Sequence, residues 1–552
     1  MKEGFRQSMA FLHTWTGLLV GWVLFMIFAA GTASYFKDEI SFWMKPELHQ
    51  ASRGQATQVQ AAESAIAALQ KRGADSPRWF IDLPSDREPA VRMLIAPVPK
   101  PVAPGEKPRR QRFTNVTLDA ATGEVLDKPR ETRGGEFLYR LHFDLHYMPA
   151  LWARWIVGFC AMFMLVAILS GIVTHKRIFK DFFTFRPKKG QRSWLDAHNA
   201  TAVLALPYHL MITYTGLVTL MFMYMPWATQ VAYKGDNKVF QAEVFPAFAS
   251  RNVPRADKPA ALTPIAPLVE QATAHWGGAS VGRVVVTNPN DANASITLTR
   301  QDSHTLSYDQ PSMTFNGTTG ALVSTFGDTT KPAAETRGVL YGLHVGRFGD
   351  PLMRWLFFFS GLAGTVMVAT GLLLWAVKER QKYAKALAKG GRVSFGLWLV
   401  DGLNVGAIAG LPMAIAAYFW ANRLVPLGIA ERPQTEINLF FLVWGLATVA
   451  GLAWPKRRMW QAQLLVGGAL FAGVPVLNAF TTATHLGVTI PAGMWNVAGL
   501  DLVCLALGLC LFWAAWWIGR KKPVKAPRTA RVSDKPQDGI ANGDFAGAGA
   551  AE

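Results

Sequence analysis

Tyr139-Arg-Leu-His142, then Arg154-Trp155, then Ser170-Gly171 is a pattern this chain carries twice, returning as Tyr341-Gly-Leu-His344, Arg354-Trp355 and Thr370-Gly371. In both copies the small polar residue and its glycine begin 16 residues after the arginine. Upstream, His13 precedes Gly31 by 18 residues, and His198 precedes Gly216 by 18. Chance does not produce such spacing readily. The first part of the chain therefore reads as a duplicated unit.

Apolar runs set the class. The chain is 51% hydrophobic and only 17% charged, and its apolar stretches approach the roughly 20 residues needed to cross a hydrocarbon core of about 30 Å. Spans are predicted at 9–33, 151–174, 197–226, 352–377, 394–420, 437–454, 461–481 and 495–518. This is the pattern of a polytopic α-helical membrane protein with about eight transmembrane helices. The stretch from Met9 to Ala33 is long for a signal-peptide core and belongs to the repeat, so it reads as a retained anchor.

The net charge of +19 sits in short segments beside apolar runs. The loop 175–196 holds Lys176, Arg177, Lys180, Arg186, Lys188, Lys189 and Arg192, and 378–392, Lys456-Arg457-Arg458 and Arg520-Lys521-Lys522 are similar. The positive-inside rule places these in the cytoplasm, with both termini, in a bacterial inner membrane. No basic groove interleaved with aromatics argues for nucleic acid. Cys160, Cys504 and Cys510 all lie in apolar runs, and no CxxC or CxxCH occurs, so neither a disulfide framework nor covalent c-type haem is expected.

Segments 34–150 and 227–350 then lie on the periplasmic side. Each has β-branched stretches, Val116-Thr-Leu118 in one, Val284-Val-Val286 and Ile296-Thr-Leu298 in the other. Each has a hairpin signal, Asp119 to Gly123 and Asn316 to Gly320. Two small α+β domains are expected, in a parallel repeat related by a pseudo-two-fold along the membrane normal. Pro97 to Pro108 reads as an exposed loop, 394–518 as a C-terminal four-helix module, and 519–552 as a disordered cytoplasmic tail.

The histidines suggest chemistry. His13, His142, His146, His175, His198, His209 and His344 lie within or beside the first four spans. Ionisable groups there are functional candidates. A single such histidine is more often an interfacial hydrogen-bonding residue, but symmetric placement favours ligands. Haem b takes two neutral imidazoles at one depth, each oriented by a further hydrogen bond. The repeat offers His13 with His198 near the cytoplasmic ends of helices 1 and 3, and His142 with His344 near the outer ends of helices 2 and 4, hence two haems as iron-ligand pairs. His146 competes with His142, since four residues apart they share a helical face. His175 ends helix 2 near the inner pair. His209 follows His198 by 11 residues, about 16 Å of rise on one seam, with Pro207 kinking the helix; a buried polar contact and a mid-membrane ligand both remain open. Zinc wants Cys or carboxylate partners at short spacing, and HExxH is absent. The methionines from Met211 to Met225 read as packing rather than a copper path.

These motifs resemble the PepSY-associated transmembrane family, often described as iron-regulated membrane proteins. The resemblance rests on His13-Thr-Trp-Thr-Gly17, Leu141-His142-Phe-Asp-Leu-His146, Ser170-Gly-Ile-Val-Thr-His175, Trp194-Leu-Asp-Ala-His198 and Leu343-His344, and covers roughly residues 1–380. It implies PepSY-like outer domains and, as in similar haem-containing siderophore reductases, b-type haems that reduce a ferric siderophore or other ferric chelate. A cytoplasmic or quinol donor would supply the electrons. Tyr139, Arg140, Tyr147, Tyr341 and Arg347 are candidate walls for the ferric substrate, with interfacial anchoring as the plainer role. No GxGxxG fingerprint is present, so no nicotinamide site is expected. Asp401 reads as a packing residue sooner than a proton relay. The last four spans go beyond the shorter members and suit an oligomer interface or a partner. A non-enzymatic sensor or assembly factor, and a metal transporter, are the alternative readings.

Overall fold

The structure is a computed structural model that describes residues 3–51, 56–98, 113–126, 129–175, 186, 189–245, 253–301, 305–328 and 331–520. The loop beyond Val98, most of the basic segment 175–196 and the tail after Arg520 lie outside the described residues.

Seven helices are long and apolar enough to cross a bilayer, and a bent pair supplies an eighth span. The protein is a multi-pass membrane protein. Helix α1 (Glu3–Ser34) is followed by α2 (Lys37–Trp43), α3 (Gln58–Arg72), α4 (Gly134–Asp144) and α5 (Ala150–Thr174). The third span carries the expected kink, and a sharp one: α6 (Gln191–Leu204) and α7 (Leu206–Thr219) meet at a 69° bend. Pro207 explains it, because it has no N–H for the carbonyl one turn back and its ring crowds that turn. After α8 (Ala266–His275) come α9 (Pro332–Val345) and α10 (Pro351–Lys382). Helix α1 packs along α5 and α10, α6 along α10, and α7 against α5 and α9.

The C-terminal module opens with α11 (Phe395–Asn404), a π-helical turn at Val405–Ala409 and α12 (Gly410–Leu424). It continues as α13 (Arg432–Ala453), α14 (Arg457–Thr481) and α15 (Trp495–Gly519). Trp22 of α1 donates to Asn404 Oδ1 at 2.9 Å, beside the π turn. Asp401 pairs with Arg380, which supports the packing role. At the other end of the module lies a buried polar network. Arg423 stacks over Trp43, its Cζ 3.8 Å from the ring centroid, and donates to the Trp43 carbonyl at 2.7 Å. Trp43 Nε1 donates to Asp501 at 2.9 Å, Asn478 bridges Asp501 and Arg423, and Thr132 and Arg432 both donate to Glu436. Charges this deep persist only when paired and hydrogen-bonded. They fasten the module to α2 and to the strand entering α4.

The segments 34–150 and 227–350 do not fold as two separate domains. Strands β1 (Arg78–Asp82), β2 (Val91–Ile95), β3 (Thr114–Leu118), β4 (Val281–Thr287), β5 (Ser295–Arg300), β6 (Ser312–Asn316) and β7 (Leu322–Phe326) form one antiparallel sheet, ordered β3-β2-β1-β4-β5-β6-β7. β1 and β4 would each be an open edge in a lone domain, and their pairing removes both. Ile81 lies opposite Val284 and Trp79 opposite Val286, and α3 and α8 cover one shared core. Asp82 reinforces the seam, accepting from Arg92 of β2 and Arg283 of β4. Burial raises its pKa, but these two cations outweigh burial and hold it below the usual carboxylate value. The link is therefore present at neutral pH and lost only as pH falls through that lowered value. Both hairpin signals hold: Asp119 Oδ1 accepts from Ala121 and Thr122 with Gly123 at φ 69°, and Asn316 Oδ1 from Thr318 and Thr319 with Gly320 at φ 74°.

Glu436→Leu should destabilise the protein by about 3–5 kcal/mol, because it strands Arg432 without its carboxylate. Adding Arg432→Met should restore at least half of that loss. Thermal unfolding in detergent reads both, and a single variant as stable as the wild type would refute the fastening role.

Candidate functional site

Histidine rings meet in two pairs at two levels of the bundle. His13 of α1 faces His198 of α6, ring centroids 6.1 Å apart with the planes at 69°. His142 of α4 faces His344 of α9, again 6.1 Å apart, the planes at 35°. All four rings are half-buried.

The anchoring is the same four times. His13 Nδ1 lies 2.7 Å from the Ala167 carbonyl and His198 Nδ1 2.9 Å from that of Met367. His142 Nδ1 lies 2.8 Å from the Ile27 carbonyl; His344 Nδ1 lies 3.1 Å from Thr215 Oγ1, on the turn that begins with the Ile212 carbonyl. Each carbonyl sits one helical turn before a glycine, namely Gly171, Gly371, Gly31 and Gly216. A Cβ at Gly31 would lie 2.7 Å from the His142 ring, and at Gly171, Gly216 and Gly371 only 3.0–3.2 Å from His13, His344 and His198. A carbonyl only accepts, so Nδ1 carries the proton and Nε2 keeps its lone pair. That is the tautomer a metal requires.

The outer pair is carried differently from the expectation. His142 and His344 sit not on the spanning helices but on α4 and α9, which precede them. Gly135 of α4 leaves no room for a Cβ against the Lys37 carbonyl, and Gly342 of α9 none against that of Leu306. This close docking lets both imidazoles reach down to Ile27 and Ile212. From His13 to Ile27 is 14 residues of α1, about 21 Å of rise, so the two levels are closer than a bilayer's thickness.

The other histidines fall away from the pairs. His146 does not share a face with His142, because α4 stops at Asp144 and Leu145, His146 and Tyr147 all take positive φ, at 52°, 53° and 49°. Such residues cost about 1–3 kcal/mol each and persist only where the surroundings over-determine them. His146 instead stacks on Phe441, 5.5 Å apart and 13° from parallel, with Gln434 Nε2 at 3.3 Å from its Nε2. Burial, then the Arg133 charge, lowers its pKa. His175 ends α5 and accepts from Asn199 at 2.8 Å. His209 follows the bend at Ala205 yet shares a seam with His198, since Gly364 and Gly371, seven residues apart on α10, meet His209 and His198 in turn. It is 1% exposed, neither ring nitrogen has a hydrogen-bond partner, and Phe28 meets it edge-on at 6.0 Å.

The candidate outer-wall residues divide into two groups. Tyr139 and Tyr341 hydrogen-bond each other, and burial first, then Tyr341, raises the Tyr139 pKa. Tyr308 packs on Tyr341 at 4.5 Å with Arg347 5.3 Å above it. Sequence reading missed Tyr308, which no repeat motif marks. Arg140 lies elsewhere, held by Glu136 and Asp144, and Tyr147 donates to Asn438 of the C-terminal module. Among the described residues no cluster of three or more His, Cys, Asp or Glu suits a closed metal site.

Fold and site together define a polytopic membrane protein with a small antiparallel sheet and two stacked pairs of facing imidazoles. The chain belongs to the PepSY-associated TM region family, whose model matches residues 10–378. An uncharacterized protein of Pseudomonas aeruginosa is 24% identical over 389 residues, covering 66% of this chain and 91% of the relative.

His209→Leu removes two buried nitrogens without partners and copies Leu24, its counterpart in the first unit. Melting in detergent should show a gain of about 1–3 kcal/mol. A loss of stability would mean that the imidazole has a partner after all.

Proposed function

We propose that the chain is a haem-b electron-transfer protein of the bacterial inner membrane that reduces a ferric siderophore or similar ferric chelate on the periplasmic side. One observation carries the reading: two pairs of Nδ1-anchored imidazoles, both with ring centres 6.1 Å apart. Two metal–imidazole bonds of about 2 Å, plus the reach from ring nitrogen to ring centre on either side, come to roughly 6 Å. The anchored tautomers and glycine cradles fit the same group. His13 with His198, and His142 with His344, would each hold one haem, whose iron supplies one-electron redox chemistry.

The remaining chemistry belongs to the chain. Hydrogen bonds from Nδ1 fix each ring's rotation and raise the basicity of Nε2. The four glycines admit the rings between helices. Positions matching at constant offset, Ile27 with Ile212 and Ala167 with Met367, support a duplicated parallel unit with a two-fold along the membrane normal. Lys and Arg beside the spans support cytoplasmic termini and a periplasmic sheet. Tyr139, Tyr308, Tyr341 and Arg347 offer aromatic faces and a cation to an anionic ferric chelate. A cytoplasmic or quinol donor completes the route.

Purified protein should show a Soret band that shifts on dithionite and returns on adding a ferric siderophore. His142→Ala with His344→Ala should halve the haem per chain, and His13→Ala with His198→Ala should remove the other half. Protein that stays colourless after haem is added would instead favour a sensor or assembly factor.

A further inference from the structure

Between the two-unit bundle and the C-terminal module lies an open groove of about 740 Å³, lined in part by Arg140, Leu141, His146, Tyr147, Gln434 and Asn438. Its volume is that of a small-molecule site. We propose that it binds the head group of an isoprenoid quinone or quinol, with the tail lying along α13 in the lipid.

Four observations specify that ligand. Its lining holds three aromatic rings, Phe137, His146 and the exposed Tyr147, the last two 4.4 Å apart. A flat ring stacks on such a surface. Its polar lining holds the Arg140–Asp144 ion pair and two amides. Gln434 Nε2 is engaged by Asn438 and His146, and Asn438 Oδ1 accepts from Gln434 and Tyr147. That leaves Gln434 Oε1 and Asn438 Nδ2 for a ligand, matching the two hydroxyls of a quinol, one donating to Oε1 and the other accepting from Nδ2.

The same helix face then continues into the membrane. Gly445, seven residues after Asn438, has open space where a side chain would stand, beside the exposed Leu442, Leu446 and Val449. An apolar tail fits there, and a soluble ligand would leave it unused. Finally, the left-handed run at Leu145, His146 and Tyr147 turns these rings toward α13. The matching corner of the second unit turns on Gly346 at φ 70°, where a Cβ would meet Phe357 and Tyr35. The strained corner thus lies where the extra module completes a wall.

Leu141 of the groove's lining precedes His142 of the histidine pair in α4. Any bearing on electron flow rests on the proposed function; binding itself does not. The test uses the full chain in detergent, with decylubiquinol as probe and an arylazido-quinone for photolabelling. Saturable binding is expected, with label recovered on peptides from 145–150 or 434–445. Gln434→Leu with Asn438→Leu should weaken binding about tenfold, as loss of two hydrogen bonds implies, at an unchanged melting temperature. If that variant does not fold, the labelled peptides of the wild type decide. Label confined to other segments, unchanged affinity in a folded variant, or complete displacement by phospholipid would each overturn the inference. Quinone binding to colourless protein would sustain this site while refuting the haem reading; coloured protein without quinone binding would do the reverse.

Discussion

A single hydrogen bond, an imidazole N–H given to a helix carbonyl one turn before a glycine, organises this molecule. It occurs between α1 and α5, between α4 and α1 and between α6 and α10, and His344 of α9 makes its counterpart to Thr215 of α7. In hydrocarbon an unpaired ring N–H costs several kcal/mol, so each bond fixes which helices touch and at what height. The glycine is its necessary complement, since a Cβ at that place would occupy the ring's own volume. Helix order, the level of each ring and its tautomer therefore follow from one local geometry. Remaining features of the bundle, such as the aromatic contacts of Tyr35 and Phe36 with Phe357 and Trp355, fill space around a frame already set.

The C-terminal module is attached by different physics. Its contact with the bundle is polar at one end, through Arg423, Asn478, Asp501 and Trp43, and includes Trp22 on Asn404 beside the π turn. Apolar helices gain little by associating in lipid, because lipid tails are equally apolar. Buried donors and acceptors supply what the hydrophobic effect does not, and they also dictate one orientation. A module held this way can present a chosen face of α13 to the corner after α4.

Much of this was legible in the sequence, and the reasons differ from element to element. Spans emerged because hydropathy over about 20 residues is a strong signal. The facing pairs emerged because the repeat marks equivalent positions, and the glycines were part of the motif that revealed it. What stayed hidden depended on contacts between distant segments. No local pattern states that β1 will pair with β4, since either edge is compatible with a separate domain. His146 looked helical because periodicity cannot register three successive left-handed residues, which local propensity disfavours and packing against Phe441 supports. Tyr308 belongs to no repeated motif and reaches Tyr341 only through the fold. The bend at Ala205 was foreseen as a kink from Pro207, but not its size.

The departures from two-fold symmetry carry as much meaning as the symmetry. Duplication alone would keep Leu24 and Met164 matched by apolar residues, yet the second unit has His209 and Gly364 there, packed against each other. A buried histidine without partners lowers stability, and so does a run of left-handed residues. Neither survives drift easily when an apolar residue or a glycine at the same place would fold better. The symmetric elements are thus those on which the frame depends. The asymmetric ones lie at His209 and at the corner facing α13.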